Sequence, residues 1–194
     1  MVAQTETNFA LGSNSNSLWV AGIGEGFVRG AQALDVSAGG GVGMEVLGGR
    51  KEHDWGIGAV QYSRVLSDVR WRDHWYRGNW EVVGQLFAGH QVNPSGAYFV
   101  GVTPLLRYDW TAGHRLVPFV DGGAGLTLTD IRDGDLSSTF EFNVQGGMGV
   151  HWFLTDTVAV TLQYRYIHFS DLGMTRPNLG VNNNTVLLGV TAFF

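Results

Sequence analysis

The chain has 194 residues, of which 44% are hydrophobic and 15% charged, with 29 glycines and no cysteine. Its net charge of −5 excludes a general nucleic-acid binder, which needs a basic face, and the lack of cysteine excludes disulfides, thiolate catalysis and cysteine-ligated metals. The length suits one domain over residues 1–194, and a charged fraction well below the about 25% of soluble domains indicates that part of the surface does not face water.

The predicted elements are β-strands in which apolar and polar residues alternate with a period of two. The first two, near residues 16–27 and 53–66, are blurred by glycines. Six clearer strands follow at 79–92, 97–110, 116–130, 140–153, 157–170 and 185–194. In the strand at 140–153, for example, Phe142 and Val144 share one face and Glu141 lies on the other. No window approaches the roughly 20 apolar residues that a membrane-spanning helix needs.

The connections between these strands alternate in length. Long stretches at 28–52, 131–138 and 171–184 alternate with short ones at 111–115 and 154–156, and 67–78 is a longer exception. This pattern predicts an all-β protein, an eight-stranded antiparallel transmembrane β-barrel among the lipids of the bacterial outer membrane. With both termini periplasmic, the seventh strand runs outward and 171–184 is an extracellular loop.

The alternative is a soluble eight-stranded barrel whose apolar residues point inward to a ligand. The polar face of the strands carries charges of both signs, at Glu81, Arg107, Asp109, Asp121, Glu141 and Arg165. These charges can neutralise one another in a narrow lumen but would line an apolar pocket poorly. Tyrosine and tryptophan lie toward the strand ends, as in an interfacial aromatic belt. We therefore favour the membrane barrel.

The amino terminus shows no signal peptide, because MVAQTETNFALGS has neither a basic start nor an apolar segment. For an exported protein, we expect the sequence to be the mature chain with an added methionine. The terminal Phe194, on an alternating strand, resembles the C-terminal signal of outer-membrane barrels.

The seventh strand contains a local break in the pattern. Beyond Tyr164 and Tyr166, its lipid-side face continues with the polar residues His168 and Ser170. Residues i and i+2 of a strand share a face and lie roughly 7 Å apart, so these side chains can approach each other. A histidine beside a serine hydroxyl is the minimum for nucleophilic acyl transfer. The competing interpretation is that the strand leaves the bilayer at Ile167 and both residues are solvated.

The stretch YRYIHFSDLGMTRPNLG, which ends at Gly180, resembles the lipid A 3-O-deacylase family of outer-membrane barrels. The family pattern is His-x-Ser-Asn, a glycine and then Asn-x-Gly, all in the last hairpin. The segments YRGNWEVVGQLF, GVTPLLRYDW and FEFNVQGGMG also look like family segments, so the resemblance covers most of the chain. It implies an esterase that hydrolyses the acyl chain at the 3-position of lipid A, the anchor of lipopolysaccharide, without a cofactor.

The resemblance also implies roles for individual residues. Ser170 is the expected nucleophile, and His168 the base that takes its proton. The backbone N–H of Gly173 and the side-chain amide of Asn178 are the expected oxyanion donors. Arg176 is also expected to contact the substrate, on the basis of its charge and its place in the predicted extracellular loop 171–184 and not of the resemblance.

Two positions depart from the family pattern. Asp171 stands where the family has asparagine, and the family glutamate, twelve residues beyond Ser170, falls on Asn182. Asn182 shares the face of His168 by strand parity. A neutral amide can orient an imidazole but cannot stabilise imidazolium by charge, so we expect reduced activity and a higher rate for Asn182→Glu.

The remaining signals are weaker. Basic residues in the predicted extracellular loops could contact lipid A phosphates, although a solvated charge is the simpler interpretation for each: Arg29, Arg50, Lys51, Arg132 and Arg176. The glycine cluster at 38–43 is interpreted as a flexible loop, and the six histidines show no metal-ligand spacing. The sequence does not determine whether the chain forms a homodimer. The alternative function is that of a non-catalytic barrel whose loops bind a surface partner. The presence of Asn182 in place of the family glutamate favours this alternative.

Overall fold

The computed structural model describes residues 17–46, 48–49 and 53–194. Eight strands form one closed antiparallel barrel, in which neighbours in sequence are paired and the first strand pairs with the last. The strands are β1 (Gln32–Gly43), β2 (Asp54–Val65), β3 (Gly78–Asn93), β4 (Ser95–Trp110), β5 (Leu116–Thr129), β6 (Phe140–Phe153), β7 (Val158–Ser170) and β8 (Val181–Phe193). Within these described residues, no helix is long and apolar enough to cross a membrane. The predicted eight-stranded antiparallel barrel is confirmed.

The first strand lies where the sequence predicted a loop. β1 falls inside the predicted loop 28–52. Of the predicted strand near 16–27, the described residues 17–27 form only an isolated bridge between Trp19 and Phe27. The position of the first predicted strand was therefore wrong, whereas the other seven lie close to their predicted positions.

The glycine cluster at 38–43 belongs to β1 and is not a flexible loop. Glycine carries no side chain, so this segment shows no alternation in the sequence. Its glycines allow β1 to pass close to β8: a Cβ added at Gly41 would lie 1.9 Å from Oδ1 of Asn183 and 2.5 Å from Oγ1 of Thr185. The physical reason for the glycines is thus close strand packing.

Alternation along the strands separates an apolar outer wall from a polar interior. In β8, Val186, Leu188 and Val190 are exposed, whereas Thr185 and Thr191 are buried. Exposed apolar side chains continue around the barrel on the same face of the other strands. This outer wall is what a barrel surrounded by lipid requires.

Opposite charges meet inside the lumen, as the sequence predicted. All six charged residues of the predicted polar face are buried. Oδ2 of Asp121 accepts hydrogen bonds from Nη2 of Arg107 and from Nη2 of Arg165, both at 3.0 Å. Oε2 of Glu81 lies 3.9 Å from Nη1 of Arg107. The two guanidiniums therefore share one central carboxylate.

Apolar clusters close the polar lumen at both ends, which the alternation alone did not predict. At the end where β1 begins and β8 ends, called the terminal end here, the cluster includes Trp19, Phe27, Val117, Phe153 and Phe193. At the opposite end, called the loop end, it includes Trp55, Phe87, Phe99, Ile131, Leu136, Ile167, Phe169, Val181 and Leu187. β1, β5 and β7 end at the loop end, and the connections 130–139 and 171–180 lie there.

Candidate active site

His168 and Ser170 are the last two outward-facing residues of β7, at the loop end. The alternation of the strand buries Ile167 and Phe169 completely and leaves His168 and Ser170 half-buried on the outer wall. Both polar side chains therefore lie on the lipid side of the barrel, on the shared face that parity predicted.

Asn182 is the direct cross-strand partner of His168 in the pairing of β7 with β8. Its Oδ1 atom lies 2.7 Å from Nδ1 of His168. The hydroxyl of Tyr166 donates to the same Oδ1 at 2.6 Å. Nδ2 of Asn182 donates to the backbone oxygen of Val46, in the β1–β2 connection, at 2.7 Å. The Asn182 side chain is fully buried under these contacts.

Asn178 lies against the hydroxyl of Ser170. Its Nδ2 atom donates to Oγ of Ser170 at 3.0 Å. The backbone N–H of Leu172, which has a positive φ of 59°, donates to the same Oγ at 3.1 Å. Two hydrogen-bond donors are therefore grouped around the serine oxygen, and the sequence did not indicate the N–H of Leu172.

Gly173 does not direct its N–H to the serine in this structure, since it donates to Oδ1 of Asp171 at 2.9 Å. Asp171 also accepts the backbone N–H of Thr175 at 2.8 Å and its hydroxyl. Burial opposes ionisation, but these hydrogen bonds outweigh it and hold the pKa of the Asp171 carboxyl below its ordinary value. Asp171 thus orders the turn and does not contact His168, and the oxyanion role of Gly173 stays a prediction.

The backbone of Gly180 packs against the imidazole of His168. Its φ is +79°, and an added Cβ would lie 2.8 Å from Cε1 of His168. This glycine belongs to the Asn-x-Gly part of the family pattern, which did not indicate a role for it. The structure shows that it leaves space for the histidine ring.

The β5–β6 connection packs against this hairpin. The backbone oxygen of Asp135 accepts the N–H of Leu179 at 2.8 Å, and the hydroxyl of Ser137 donates to the backbone oxygen of Pro177 at 2.9 Å. Hydrogen bonds to the β5–β6 connection therefore hold the residues immediately before and after Asn178.

The predicted phosphate-binding residues lie in different places. Arg176 is exposed in the β7–β8 connection. Arg132 is exposed in the β5–β6 connection, where it donates to carbonyl oxygens of its own turn. Arg29 lies at the terminal end, just before β1, so its prediction as an extracellular loop residue was wrong for the same reason as the first strand. Arg50 and Lys51 lie outside the described residues.

One group in the described part of the chain has the donor types of a metal site: His53, Asp133 and Asp135. Nε2 of His53 lies 2.7 Å from Oδ2 of Asp135, and its Nδ1 lies 2.7 Å from Nε2 of Gln91. Both ring nitrogens therefore have protein partners already. The fold brings these distant residues together, so sequence spacing did not indicate them.

A closed eight-stranded barrel with an apolar outer wall, and with a serine, a histidine and two asparagines grouped at one end of that wall, defines an outer-membrane β-barrel with the elements of a serine hydrolase site. The comparisons with known proteins agree. The chain belongs to the family Lipid A 3-O-deacylase (PagL), whose pattern matches residues 56–191.

The chain is similar to lipid A deacylase PagL of Pseudomonas aeruginosa, with 27% identity over 175 residues that cover 84% of this chain and 90% of the relative. Its fold resembles the crystal structure of the outer membrane enzyme PagL, with a TM-score of 0.61 and 20% identity over 80% of this chain and 97% of that chain. It also resembles Neisserial surface protein A, with a TM-score of 0.58 and 14% identity over 86% of this chain and 100% of that chain. The predicted outer-membrane location is confirmed.

Proposed function

We propose that this protein is an esterase that removes the acyl chain linked to the 3-position of lipid A. The contact of His168 with Asn182, beside a serine whose Oγ receives the Asn178 amide, carries this proposal. Family membership supplies the substrate class. With both termini periplasmic, the loop end faces the outside, where lipid A occupies the outer leaflet. The ester then reaches Ser170 along the outer wall, and the closed lumen is no obstacle.

Ser170 attacks the carbonyl carbon of the ester while His168 takes the hydroxyl proton. Negative charge develops on the carbonyl oxygen, and we propose that Nδ2 of Asn178, which lies 3.0 Å from Oγ of Ser170 in the free protein, donates to that oxygen. The tetrahedral intermediate collapses, the bond to the sugar oxygen breaks, and His168 returns its proton to that oxygen. Water then attacks the acyl-serine by the same route and releases the fatty acid.

Asn182 orients the His168 ring through the 2.7 Å contact between Oδ1 and Nδ1. Because an amide carries no charge, it stabilises the imidazolium of the transition state less than a carboxylate does. We therefore propose that the rate is lower than that of a relative with glutamate at this position.

All the groups assigned here come from one chain, in β7, the β7–β8 connection and β8. The proposed reaction therefore needs no second copy of the barrel. Arg176, exposed in the same connection, is proposed to contact a phosphate group of lipid A.

The test uses the full chain refolded in detergent, with lipid A in mixed micelles and mass spectrometry of the products. We expect loss of one ester-linked acyl chain, and a fall of about 10³-fold or more for Ser170→Ala. Ser138→Ala is the matched control, because this serine lies at the same end and its hydroxyl is hydrogen-bonded to the backbone of Phe140. Unmodified lipid A after incubation with the folded wild-type protein would instead support a non-catalytic barrel.

A further inference from the structure

The amide of Asn182 is held on two sides by groups that do not contact Ser170. Its Nδ2 atom is bound to the backbone oxygen of Val46, and its Oδ1 atom receives the hydroxyl of Tyr166. We infer that Tyr166 and the Val46 carbonyl fix the orientation of this amide, and thereby the tautomer of His168 that catalysis requires. The functional consequence rests on the deacylase function proposed above.

The orientation of the amide follows from the chemistry of its partners. A backbone carbonyl oxygen only accepts hydrogen bonds, so the atom of Asn182 that lies 2.7 Å from the Val46 oxygen must be the NH₂ group. The reversed amide would place two oxygen atoms in contact inside a fully buried site. Oδ1 therefore faces His168 and Tyr166.

The orientation of the amide in turn determines which ring nitrogen of His168 carries the proton. Oδ1 has no hydrogen, so Nδ1 of a neutral His168 must be the N–H donor across the 2.7 Å contact. Nε2 then carries the free electron pair that takes the proton of Ser170. In a serine protease, replacing the triad aspartate by asparagine favours the other tautomer and lowers the rate by about 10⁴. The contacts of Asn182 avoid that loss.

Tyr166 is therefore a positioning residue, which acts through Asn182. It lies two positions before His168 on the same face of β7, and its hydroxyl crosses to β8. Tyr164, two residues before Tyr166 on the same face of β7, makes the equivalent contact, in which its hydroxyl donates to Oδ1 of Asn184. Tyr164→Phe thus removes the same hydroxyl from the same strand without touching the site.

The test combines kinetics with the tautomer of His168, read by ¹⁵N NMR of the refolded full chain labelled at histidine. The His168 signals are identified by their loss in His168→Gln. We expect a protonated Nδ1 and an unprotonated Nε2 in the neutral ring of the wild type. Tyr166→Phe should raise the fraction of the other tautomer and lower kcat about three- to tenfold at unchanged KM, the effect of one hydrogen bond. Tyr164→Phe should change neither.

A neutral His168 with its proton on Nε2 in the wild type would overturn the inference. Equal tautomer fractions in Tyr166→Phe and Tyr164→Phe would do the same. Failure of the proposed function is recognised separately, since the NMR measurement needs no turnover. A protein with the expected tautomer that leaves lipid A intact supports the orientation of the amide and refutes the deacylase activity.

Discussion

Nδ1 of His168 and Oδ1 of Asn182 lie 2.7 Å apart on adjacent strands, and the two residues are direct partners in the register of β7 with β8. A shift of one residue in this pairing would turn one of the two side chains into the lumen. The hydrogen-bonded ladder between β7 and β8 therefore also sets the contact between these two residues of the candidate site.

Gly180→Ala should lower kcat about 10²-fold, because the new Cβ would lie 2.8 Å from Cε1 of His168 and displace the ring. Gly30→Ala is the control, since Gly30 also has a positive φ, of +93°, but open space around its Cβ. Deacylation rates of both variants, measured after a check of folding by gel migration, separate ring displacement from backbone strain. Equal losses in the two variants would contradict a specific role for Gly180.

Asn182→Asp should lower kcat about tenfold or more, whereas the sequence led us to expect a higher rate for the longer side chain in Asn182→Glu. The substitution removes the donor to the Val46 oxygen and places a buried carboxylate oxygen against that carbonyl. Asn184→Asp, on the same face and only half-buried, is the matched control. A faster Asn182→Asp enzyme in the same micelles would show that imidazolium stabilisation outweighs these costs.

Protonation of Asp171 should release the turn that begins at this residue. The pKa of Asp171 is lowered in the folded chain. Its contribution to stability is therefore complete above the pKa of the unfolded chain, about 3.9, and is lost as the pH falls through the lower pKa of the folded chain. The amide NMR signals of Gly173 and Thr175 should therefore shift together with a midpoint below about 3.9. Asp171→Asn should abolish this titration, and a midpoint at higher pH would contradict the assignment.

Asp121→Asn should destabilise the barrel by about 3–5 kcal/mol, because Arg107 and Arg165 would lose the carboxylate that they share. The measurement is urea-induced unfolding of the refolded barrel in detergent. Asp68→Asn, at an exposed position, removes the same charge outside the lumen and should leave the midpoint unchanged. Equal unfolding midpoints for the wild type and both variants would show that the charges in the lumen do not stabilise the barrel.

Residue alternation by itself determined the barrel class, the outer and inner faces of the later strands, and the shared face of His168, Ser170 and Asn182. These features were predictable because the side-chain period of a strand is a local property of the chain. The serine and histidine were visible for the same reason, as polar residues on a face that is otherwise apolar.

Only the tertiary structure decided the position of β1, whose glycines carry no side chains to alternate and which is recognised by its pairing with β2 and β8. It also decided how Asn182 is held. The Val46 carbonyl lies 136 positions away in sequence, and only closure of the barrel brings it to the amide. A backbone oxygen has no sequence signature, so this partner of the Asn182 amide becomes visible only when the first and last strands meet.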